Sequence, residues 1–256
     1  MNIFESIIFG IVEGVTEFLP VSSTGHLILT AKLLGHSQTD FLKSFEIAIQ
    51  LGAILSVLVM YGKSLLRQTE VWKRILAAFI PTAVIGFSLY QVVRELFLES
   101  HTLVLQSLFW GGLFLIIFDI FHDEKRAHLD KIEDIPYRTA VLIGVFQSFA
   151  LIPGVSRAAA TIVGGLIFGV KRKTIVEFSF LLAIPTMLSA TGLDIIKNRD
   201  CFSPEHFVCL AVGFAVSFIV ALISIQFLLK FIQRHNFILF GIYRMTISTL
   251  WWIFGK

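Results

Sequence analysis

Charged residues are scarce in this chain of 256 residues, and their scarcity argues against an ordinary soluble domain. Asp, Glu, Lys and Arg make up 15% of the sequence, whereas 56% is hydrophobic. A soluble domain carries about 25% charged and about 45–50% apolar residues. Both differences favour a protein whose solvent is lipid. The net charge of only +3 gives no reason to expect a nucleic-acid partner, and we predict none.

Cysteine is nearly absent as well. Cys201 and Cys209 are too few and unsuitably spaced for a disulfide framework or a zinc site. The first apolar stretch begins at Ile3 without a basic region before it, and no small-residue cleavage site follows it. We therefore expect no cleavable signal peptide, and we expect the chain to insert through its own spans.

Long apolar runs, by contrast, are abundant. A helical span requires about 20 apolar residues. Three of the predicted segments, 24–35, 138–152 and 157–169, are short, which indicates re-entrant hairpins that enter and leave the membrane on one side. Such a broken backbone is tolerated only inside protein or along a wet cavity. The ten apolar segments lie near 3–19, 24–35, 42–61, 74–95, 102–121, 138–152, 157–169, 174–196, 204–229 and 236–254.

The order of features repeats along the chain. Gly10–Glu13 resembles Gly144–Gln147, and each opens a half-helix that ends at a proline, Pro20 in one case and Pro153 in the other. A serine follows each proline, and then a short helix. An acidic residue follows early in the next long segment. The sequence therefore predicts two structural repeats, each with one hairpin.

The predicted fold is an all-α polytopic membrane protein with about six transmembrane helices and two re-entrant helix hairpins. It forms a single membrane domain, residues 1–256, with repeats at about 1–121 and 138–256 joined by a cytoplasmic loop at about 122–137. One hairpin and three crossings in each repeat force inverted topology, because the number of crossings is odd. Inverted repeats with broken helices are a known transporter layout.

Loop charges predict the orientation. Loops at 62–74, 122–138, 170–173 and 230–235 carry most of the loop Lys and Arg residues, whereas loops at 96–101 and 197–203 carry few. By the positive-inside rule, the first set is cytoplasmic. The first hairpin is then expected to enter from outside and the second from inside.

Two acids mark the first half-helix. Glu13 and Glu17 are four positions apart and share one helix face. Carboxylates inside an apolar segment are costly and are functional by default. Mg²⁺ is typically held by one or two carboxylates together with substrate phosphates, so we predict a divalent-cation site here, with one acid also able to act as a general base. The alternative is a pair of glutamates at a wet helix end.

The first break follows directly after these acids. Pro20 ends the half-helix, and Ser22 or Ser23 can cap the next one, whose free N–H groups bind phosphate. Ser23 is a candidate nucleophile and His26 a candidate base or acid, while Ser22 and Thr24 are candidate substrate-binding residues. The alternatives are plain capping for the serines and a core histidine bonded to a carbonyl for His26.

The second break offers a candidate phosphate-binding group. Gly154 permits a tight turn, Ser156 can cap the next helix, and Arg157 then lies in its first turn, where its charge opposes the helix dipole. A guanidinium suits phosphate oxygens, and Thr161 on the same face can donate one hydrogen bond. The alternatives are an ion pair of Arg157 with an intramembrane glutamate and a packing role for Thr161.

Other polar residues lie inside long segments. We expect Glu46, Gln50 and Glu177 to satisfy the broken backbone of the hairpins. Arg244 lies within the last segment, where pairing with an acid and contact with a membrane interface both stay open.

The sequence resembles the undecaprenyl-diphosphate phosphatase family, also called the bacitracin resistance proteins, over essentially the whole chain. The resemblance rests on motifs at both breaks: Glu13-x-x-x-Glu17, Pro20-Val-Ser-Ser-Thr-Gly-His26, Phe45-Glu46…Gln50-Leu51-Gly52 and Pro153-Gly154-Val-Ser156-Arg157…Thr161. One position departs from the family pattern, since Ala158 stands where a serine usually follows the arginine.

The resemblance implies hydrolysis of undecaprenyl diphosphate to the monophosphate carrier lipid of peptidoglycan synthesis, and with it bacitracin resistance. It also implies a divalent cation, Mg²⁺ or Ca²⁺, and a site that opens to the outer, periplasmic face of the bacterial cytoplasmic membrane. Glu13 and Glu17 match the acidic motif, Ser23 and His26 the serine–histidine stretch, and the second-break residues the arginine motif.

Several alternatives remain open from the sequence. The nucleophile can be Ser23, His26 or water. Membrane lipid and a lipid diphosphate are the expected partners, and homodimer formation is left open. An inverted-repeat transporter or lipid flippase is the main alternative function, although transport does not require a nucleophile beside a metal site.

Overall fold

A computed structural model describes residues 1–65, 68–89, 101–197 and 207–255, and every regular element in these ranges is helical. This confirms the predicted all-α class. Predicted loops 96–101 and 197–203, together with Cys201, lie wholly or largely outside the described residues. The α-helices are α1 (Ile3–Thr16), α2 (Ser23–Leu33), α3 (Asp40–Leu65), α4 (Thr69–Ser88), α5 (His101–Phe121), α6 (Tyr137–Gln147), α7 (Arg157–Ile167), α8 (Arg172–Lys197), α9 (Phe207–Phe231) and α10 (Ile238–Phe254).

Five of the described helices, α3, α4, α5, α8 and α9, contain runs long and apolar enough to cross a membrane. Helix α10 is also apolar but has 17 residues, which is the lower limit of about 17 for a crossing. Helices α1, α2, α6 and α7 are shorter still, with 11 to 14 residues each. The chain is therefore a multi-pass membrane protein whose short helices form two hairpins.

Glycines let each hairpin approach a long helix closely. A side chain at Gly10 or Gly14 of α1 would collide with backbone atoms of α9, and one at Gly144 of α6 would collide with the backbone of Ala78 in α4. Small residues at such positions allow helix backbones to pack together without large intervening side chains. The first hairpin is thereby fixed on α9, and the second on α4.

The helix–helix contacts made by the first half of the chain have counterparts in the second half. If α1 to α5 are matched in order with α6 to α10, the contact of α1 with α9 becomes the contact of α6 with α4. The contact of α3 with α9 likewise becomes that of α8 with α4, and the pairs α3–α8 and α5–α10 map onto themselves. The described packing thus has an approximate two-fold symmetry.

The first hairpin begins and ends at one end of the molecule. The carboxylate of Glu5, in the first turn of α1, lies 3.2 Å from Nε2 of His36, just beyond α2. Lys32, near the end of α2, donates a hydrogen bond of 3.1 Å to the carbonyl of Gly255, just beyond α10. The C-terminal end of α10 therefore lies beside both ends of the first hairpin.

The second hairpin begins and ends at the opposite end. Arg74 in α4 donates to the carbonyl of Ile135, just before α6, at 2.9 Å. Arg172, just after α7, pairs at 3.0 Å with Asp119 at the end of α5, and Asp119 accepts the backbone N–H of Phe237 at the start of α10. Because α10 runs from this end to the other, the two hairpins enter from opposite ends.

Candidate active site

The two helix breaks meet in the interior. Arg157, the first residue of α7, donates to the Glu17 carboxylate at 3.2 Å between Nη2 and Oε1. Next to this contact, the rings of Phe18 and Phe180 pack edge to face with centroids 5.3 Å apart. All four side chains are at most 8% exposed. The breaks of both hairpins therefore form one buried junction.

Glu17 is the central residue of this junction. It caps the C-terminus of α1, and its Oε2 accepts a hydrogen bond of 2.6 Å from the Ser23 hydroxyl. Its Oε1 accepts from Arg157 at the same time. Hydrogen bonds to ionised groups are shorter and stronger than neutral ones. A single carboxylate thus connects the candidate nucleophile with the candidate phosphate-binding cation.

Glu13 lies one helical turn before Glu17 and is fully buried. Neither of its oxygens accepts a hydrogen bond from a donor group in the described structure. The charges that act on it belong to Glu17, Glu46 and Arg157. Burying a bare carboxylate is costly, so this group requires a proton or a cation.

A divalent cation fits this pair of acids. Mg²⁺ prefers oxygen ligands and takes one or two carboxylates, with water and substrate phosphates completing its shell. Within the described ranges, no group of three His, Cys, Asp or Glu residues is arranged to hold a metal alone. Phosphate oxygens or water would therefore have to supply the remaining ligands, as is usual for Mg²⁺.

The serines of the first break have different tasks. Ser22 caps α2, because its hydroxyl accepts the N–H of Gly25 at 3.4 Å. Its φ of +73° lies in the left-handed region, which is strained for a residue other than glycine. Ser23 begins α2 and points its hydroxyl at Glu17, while Thr24 follows and is half-buried. Of these residues, only Ser23 has its hydroxyl bonded to a carboxylate.

His26 does not bond to Ser23. Its Nδ1 lies 2.8 Å from the carbonyl oxygen of Ser22, and its Nε2 lies 2.8 Å from the hydroxyl of Tyr243. A carbonyl only accepts, so Nδ1 carries a proton, and in the neutral ring Nε2 accepts from Tyr243. This matches the alternative interpretation of a core histidine bonded to a carbonyl. Tyr243 was missed, since no motif connects it with the break.

The second break is arranged around Gly154, Ser156 and Arg157. Gly154 has a φ of +90°, which favours glycine, and Ser156 caps α7 by accepting the N–H of Ala159 at 3.1 Å. The Nη1 of Arg157 donates to the carbonyl of Ser179 at 2.8 Å, whereas its buried Nε has no partner in the described structure. The guanidinium is thus held in place through Nη1 and Nη2, while its Nε–H remains available to a ligand.

Thr161 belongs to a buried polar network beside Arg157. Its hydroxyl lies 2.9 Å from the Arg157 carbonyl and 3.3 Å from the Gln147 side-chain oxygen, and Gln147 in turn donates to Thr82 at 3.0 Å. These bonds support its packing role in this structure. In the predicted repeat, Gln147 is the counterpart of Glu13, so the second hairpin has a neutral amide in place of an acid.

The prediction that Glu46, Gln50 and Glu177 satisfy the broken backbone was wrong for Glu46. Its Oε1 accepts from the side chain of Gln38 at 3.3 Å. Gln50 and Glu177 make no hydrogen bond with either break in the described part of the chain. Each of these polar groups lies on a long helix, α3 or α8.

Arg244 forms hydrogen bonds with backbone carbonyls of both breaks. It donates to the carbonyl of Pro20 at 3.4 Å and to the carbonyl of Gly154 at 3.0 Å. Neither outcome considered from the sequence, an acid partner or a membrane interface, applies to it. A signal was present in the sequence, because an arginine in the middle of an apolar segment requires polar partners.

The fold and the site define a multi-pass membrane protein with two acids, a serine and an arginine at the junction of two broken helices, a set of groups suited to phosphate chemistry. The family model for the bacitracin resistance protein BacA matches residues 6–250. The chain belongs to this family.

Curated relatives match the chain over nearly its full length. An undecaprenyl-diphosphatase from Sulfurihydrogenibium sp. is 52% identical over 99% of both chains. One from Aquifex aeolicus is 50% identical over 98% of both. One from the more distant Methanococcus aeolicus is 41% identical over 98% of this chain and 97% of its own.

Proposed function

We propose that this protein is an undecaprenyl-diphosphatase, which hydrolyses undecaprenyl diphosphate to undecaprenyl phosphate and inorganic phosphate. The observation that carries the proposal is the Glu17 carboxylate, which accepts hydrogen bonds from both Ser23 and Arg157. The names of the full-length relatives agree with it. They give no support to the alternative of a transporter or flippase.

Substrate binding uses positive charge at the junction. Arg157 has an unused Nε donor beside the bond to Glu17, and a guanidinium pairs well with phosphate oxygens. The N-termini of α2 and α7, which follow Ser22 and Ser156, add backbone N–H groups and the positive ends of helix dipoles. Thr24 and Gly154 line the same breaks. Because these groups come from both hairpins, the diphosphate binds between them.

Glu17 is the general base for Ser23. The Ser23 hydroxyl gives its proton to Glu17 as Oγ attacks the terminal phosphorus. The bond from that phosphorus to the bridging oxygen breaks, and the proton passes from Glu17 to the departing undecaprenyl phosphate. Glu17 then takes a proton from water, whose oxygen attacks the phosphoserine, and returns the proton to Ser23 Oγ. His26 donates a hydrogen bond to the Ser22 carbonyl and thereby stabilises the turn that precedes Ser23.

Glu13 and Glu17 would hold the divalent cation, Mg²⁺ or Ca²⁺. The buried and unbonded oxygens of Glu13 support this assignment. When bound, the cation supplies positive charge that offsets the negative charge of the diphosphate. Electrostatic positioning of this kind accounts for most of the rate in phosphoryl transfer generally.

The site opens to the outer face of the bacterial cytoplasmic membrane. Supporting this, the basic residues Arg74, Arg172 and Lys131, which belong to the predicted basic loops, lie at the end where the second hairpin enters. Basic loops are cytoplasmic as a rule, so the first hairpin, with Ser23, enters from outside. The two hairpins belong to repeats at about 1–121 and 138–256.

Because the site opens to the outer face, the undecaprenyl phosphate produced there is available as carrier lipid for peptidoglycan. The activity also confers bacitracin resistance.

Phosphate release from undecaprenyl diphosphate by the purified, detergent-solubilised protein tests the proposal. We expect release that depends on Mg²⁺ or Ca²⁺ and that falls by about 10³-fold or more in Ser23→Ala and Glu17→Gln, since both lose the reacting pair. Ser56→Ala and Glu5→Gln are matched controls, a buried serine bonded within α3 and an acid at the far end of α1. No release by the folded parent protein would overturn the function, and full activity of Ser23→Ala would exclude the serine mechanism.

A further inference from the structure

Among the residues that the structure describes, Arg244 is the largest side chain that is almost fully buried, at 1% exposed. A guanidinium has five nitrogen-bound protons that can be donated, and in the described structure Arg244 makes four hydrogen bonds, all of them to backbone carbonyls. Two acceptors are in the breaks, Pro20 at 3.4 Å and Gly154 at 3.0 Å. The other two are in α5, Leu108 at 3.3 Å and Ser107 at 3.0 Å.

These carbonyls explain why an arginine lies at this position. A helix that stops inside the membrane leaves carbonyls without intrahelical partners, and lipid offers no water to replace them. Within the described residues, no carboxylate lies within ion-pairing distance of Arg244, so the side chain is held by backbone acceptors alone. A lysine carries its donors on a single nitrogen, whereas the three nitrogens of the guanidinium reach carbonyls on three separate segments.

The two break carbonyls have matching positions. Pro20 lies three residues before Ser23, and Gly154 lies three residues before Arg157. Arg244 therefore binds each hairpin just ahead of the group that the mechanism uses, and it anchors both to α5. Movement of either break relative to the other would change the distance between the nucleophile and the phosphate-binding guanidinium.

We propose that Arg244 is a positioning residue, which clamps the two helix breaks to α5 and to each other so that Ser23 and Arg157 face one substrate phosphate. The effect on turnover rests on the proposed phosphatase function. The clamp itself does not, because it is a property of the protein without substrate. Loss of the Arg244 contacts should disorder both breaks together, although the breaks are far apart in the sequence.

The first test compares Arg244→Lys with Arg172→Lys. Arg172 is a matched control, since it also bonds to α5, through Asp119, but at the opposite end of that helix. We expect Arg244→Lys to fold, to lose about 100-fold in kcat and to change KM by less than about threefold, because misplacement by about 1 Å has that cost. Arg172→Lys should stay within about twofold of the parent kcat.

A second variant keeps the arginine and moves it. A methyl group at Gly111 in α5 would overlap the guanidinium of Arg244, whereas one at Gly192 in α8 would meet open space. We expect Gly111→Ala to lower kcat by about tenfold or more and Gly192→Ala to leave it unchanged. This pair keeps the proposal testable if Arg244→Lys fails to fold.

Hydrogen–deuterium exchange of the substrate-free protein gives a readout independent of activity. We expect Arg244→Lys and Gly111→Ala to speed amide exchange in residues 17–26 and 152–158 together, and the two controls to leave both segments unchanged. Unchanged exchange at the breaks, or parent kcat in both variants, would overturn the proposal. If the parent protein releases no phosphate while the exchange result holds, the clamp stands and the proposed function fails.

Discussion

The Glu17 carboxylate joins residues from both halves of the chain. Ser23 follows it by six positions, whereas Arg157 is 140 positions away, and both donate to it. Removing one member of a buried ion pair typically costs about 3–5 kcal/mol, because the other charge is left without a partner. Glu17 is therefore needed for the structure of the junction as well as for proton transfer, and its substitution must be judged with a test of folding.

The role of Glu13 can be separated from that of Glu17. We expect Glu13→Gln to raise the Mg²⁺ concentration for half-maximal phosphate release by at least about tenfold, since a cation ligand is lost while Ser23 and its base remain. Titration of the metal-free protein with Mg²⁺ measures this value. Glu46→Gln is the matched control, because Glu46 is a nearby buried acid that bonds to Gln38. An equal shift in both variants would show a general effect of charge.

The contacts of His26 predict that its bond to the Ser22 carbonyl matters more than proton transfer. Asparagine keeps an N–H donor for this carbonyl but has no acid–base function. We expect His26→Asn to stay within about tenfold of the parent kcat and His26→Leu to lose about 100-fold. His235→Asn serves as the control, because His235 also places Nδ1 near a carbonyl four residues before it. Equal losses in both His26 variants would instead support proton transfer by the ring.

The site could be predicted in part from the sequence, because its polar residues lie within apolar segments. The motifs identified the acids, both break serines and Arg157. They did not identify Glu17 as the partner of Ser23, because the backbone turn at Ser22, with its left-handed φ, is not readable from the residue types. Tyr243 and the carbonyl partners of Arg244 were also not identified, since these contacts with the breaks join residues about 90 to 220 positions apart.

At the scale of helices, close packing fixes each hairpin on its supporting helix. We expect Gly144→Ala to destabilise the protein by about 1–3 kcal/mol, because the added methyl would collide with the backbone of Ala78, which has little freedom to move. The thermal unfolding midpoint in detergent measures the change. A methyl group at Gly62 in α3 would meet open space, so Gly62→Ala should stabilise the protein by up to about 1 kcal/mol through its higher helix propensity. A lower midpoint for Gly62→Ala would argue against this account.

The boundaries of the helices were predictable where apolar runs end at charged loops. Segment 102–121, for example, corresponds to α5 at His101–Phe121. They were less predictable at the breaks, where segment 138–152 is an α-helix only to Gln147 and continues as a 3₁₀ turn, Ser148–Leu151. Hydropathy does not distinguish these two conformations, since both remain in the apolar interior.

At the scale of the whole molecule, the two hairpins are alike in packing and unlike in chemistry. The first contributes Glu13, Glu17 and Ser23, whereas the second contributes Arg157 and has neutral Gln147 in place of an acid. Two acidic hairpins facing each other would repel in a site that binds an anion. The repeat therefore gives the two hairpins similar packing. The sequence difference between them gives the site a negative side, from the first hairpin, and a positive side, from the second.

The orientation of the whole molecule gives the last prediction. In a protein whose natural Cys201 and Cys209 are replaced by serine, we expect Ser37→Cys to react with a membrane-impermeant maleimide on intact cells, because Ser37 lies at the end where the first hairpin enters. Asp134→Cys, at the basic end, should react only after the membrane is opened. Labelling at Asp134→Cys alone would place Ser23 in the hairpin that enters from the cytoplasm and would reverse the proposed opening of the site. Labelling of both on intact cells would show that the chain inserts in two orientations.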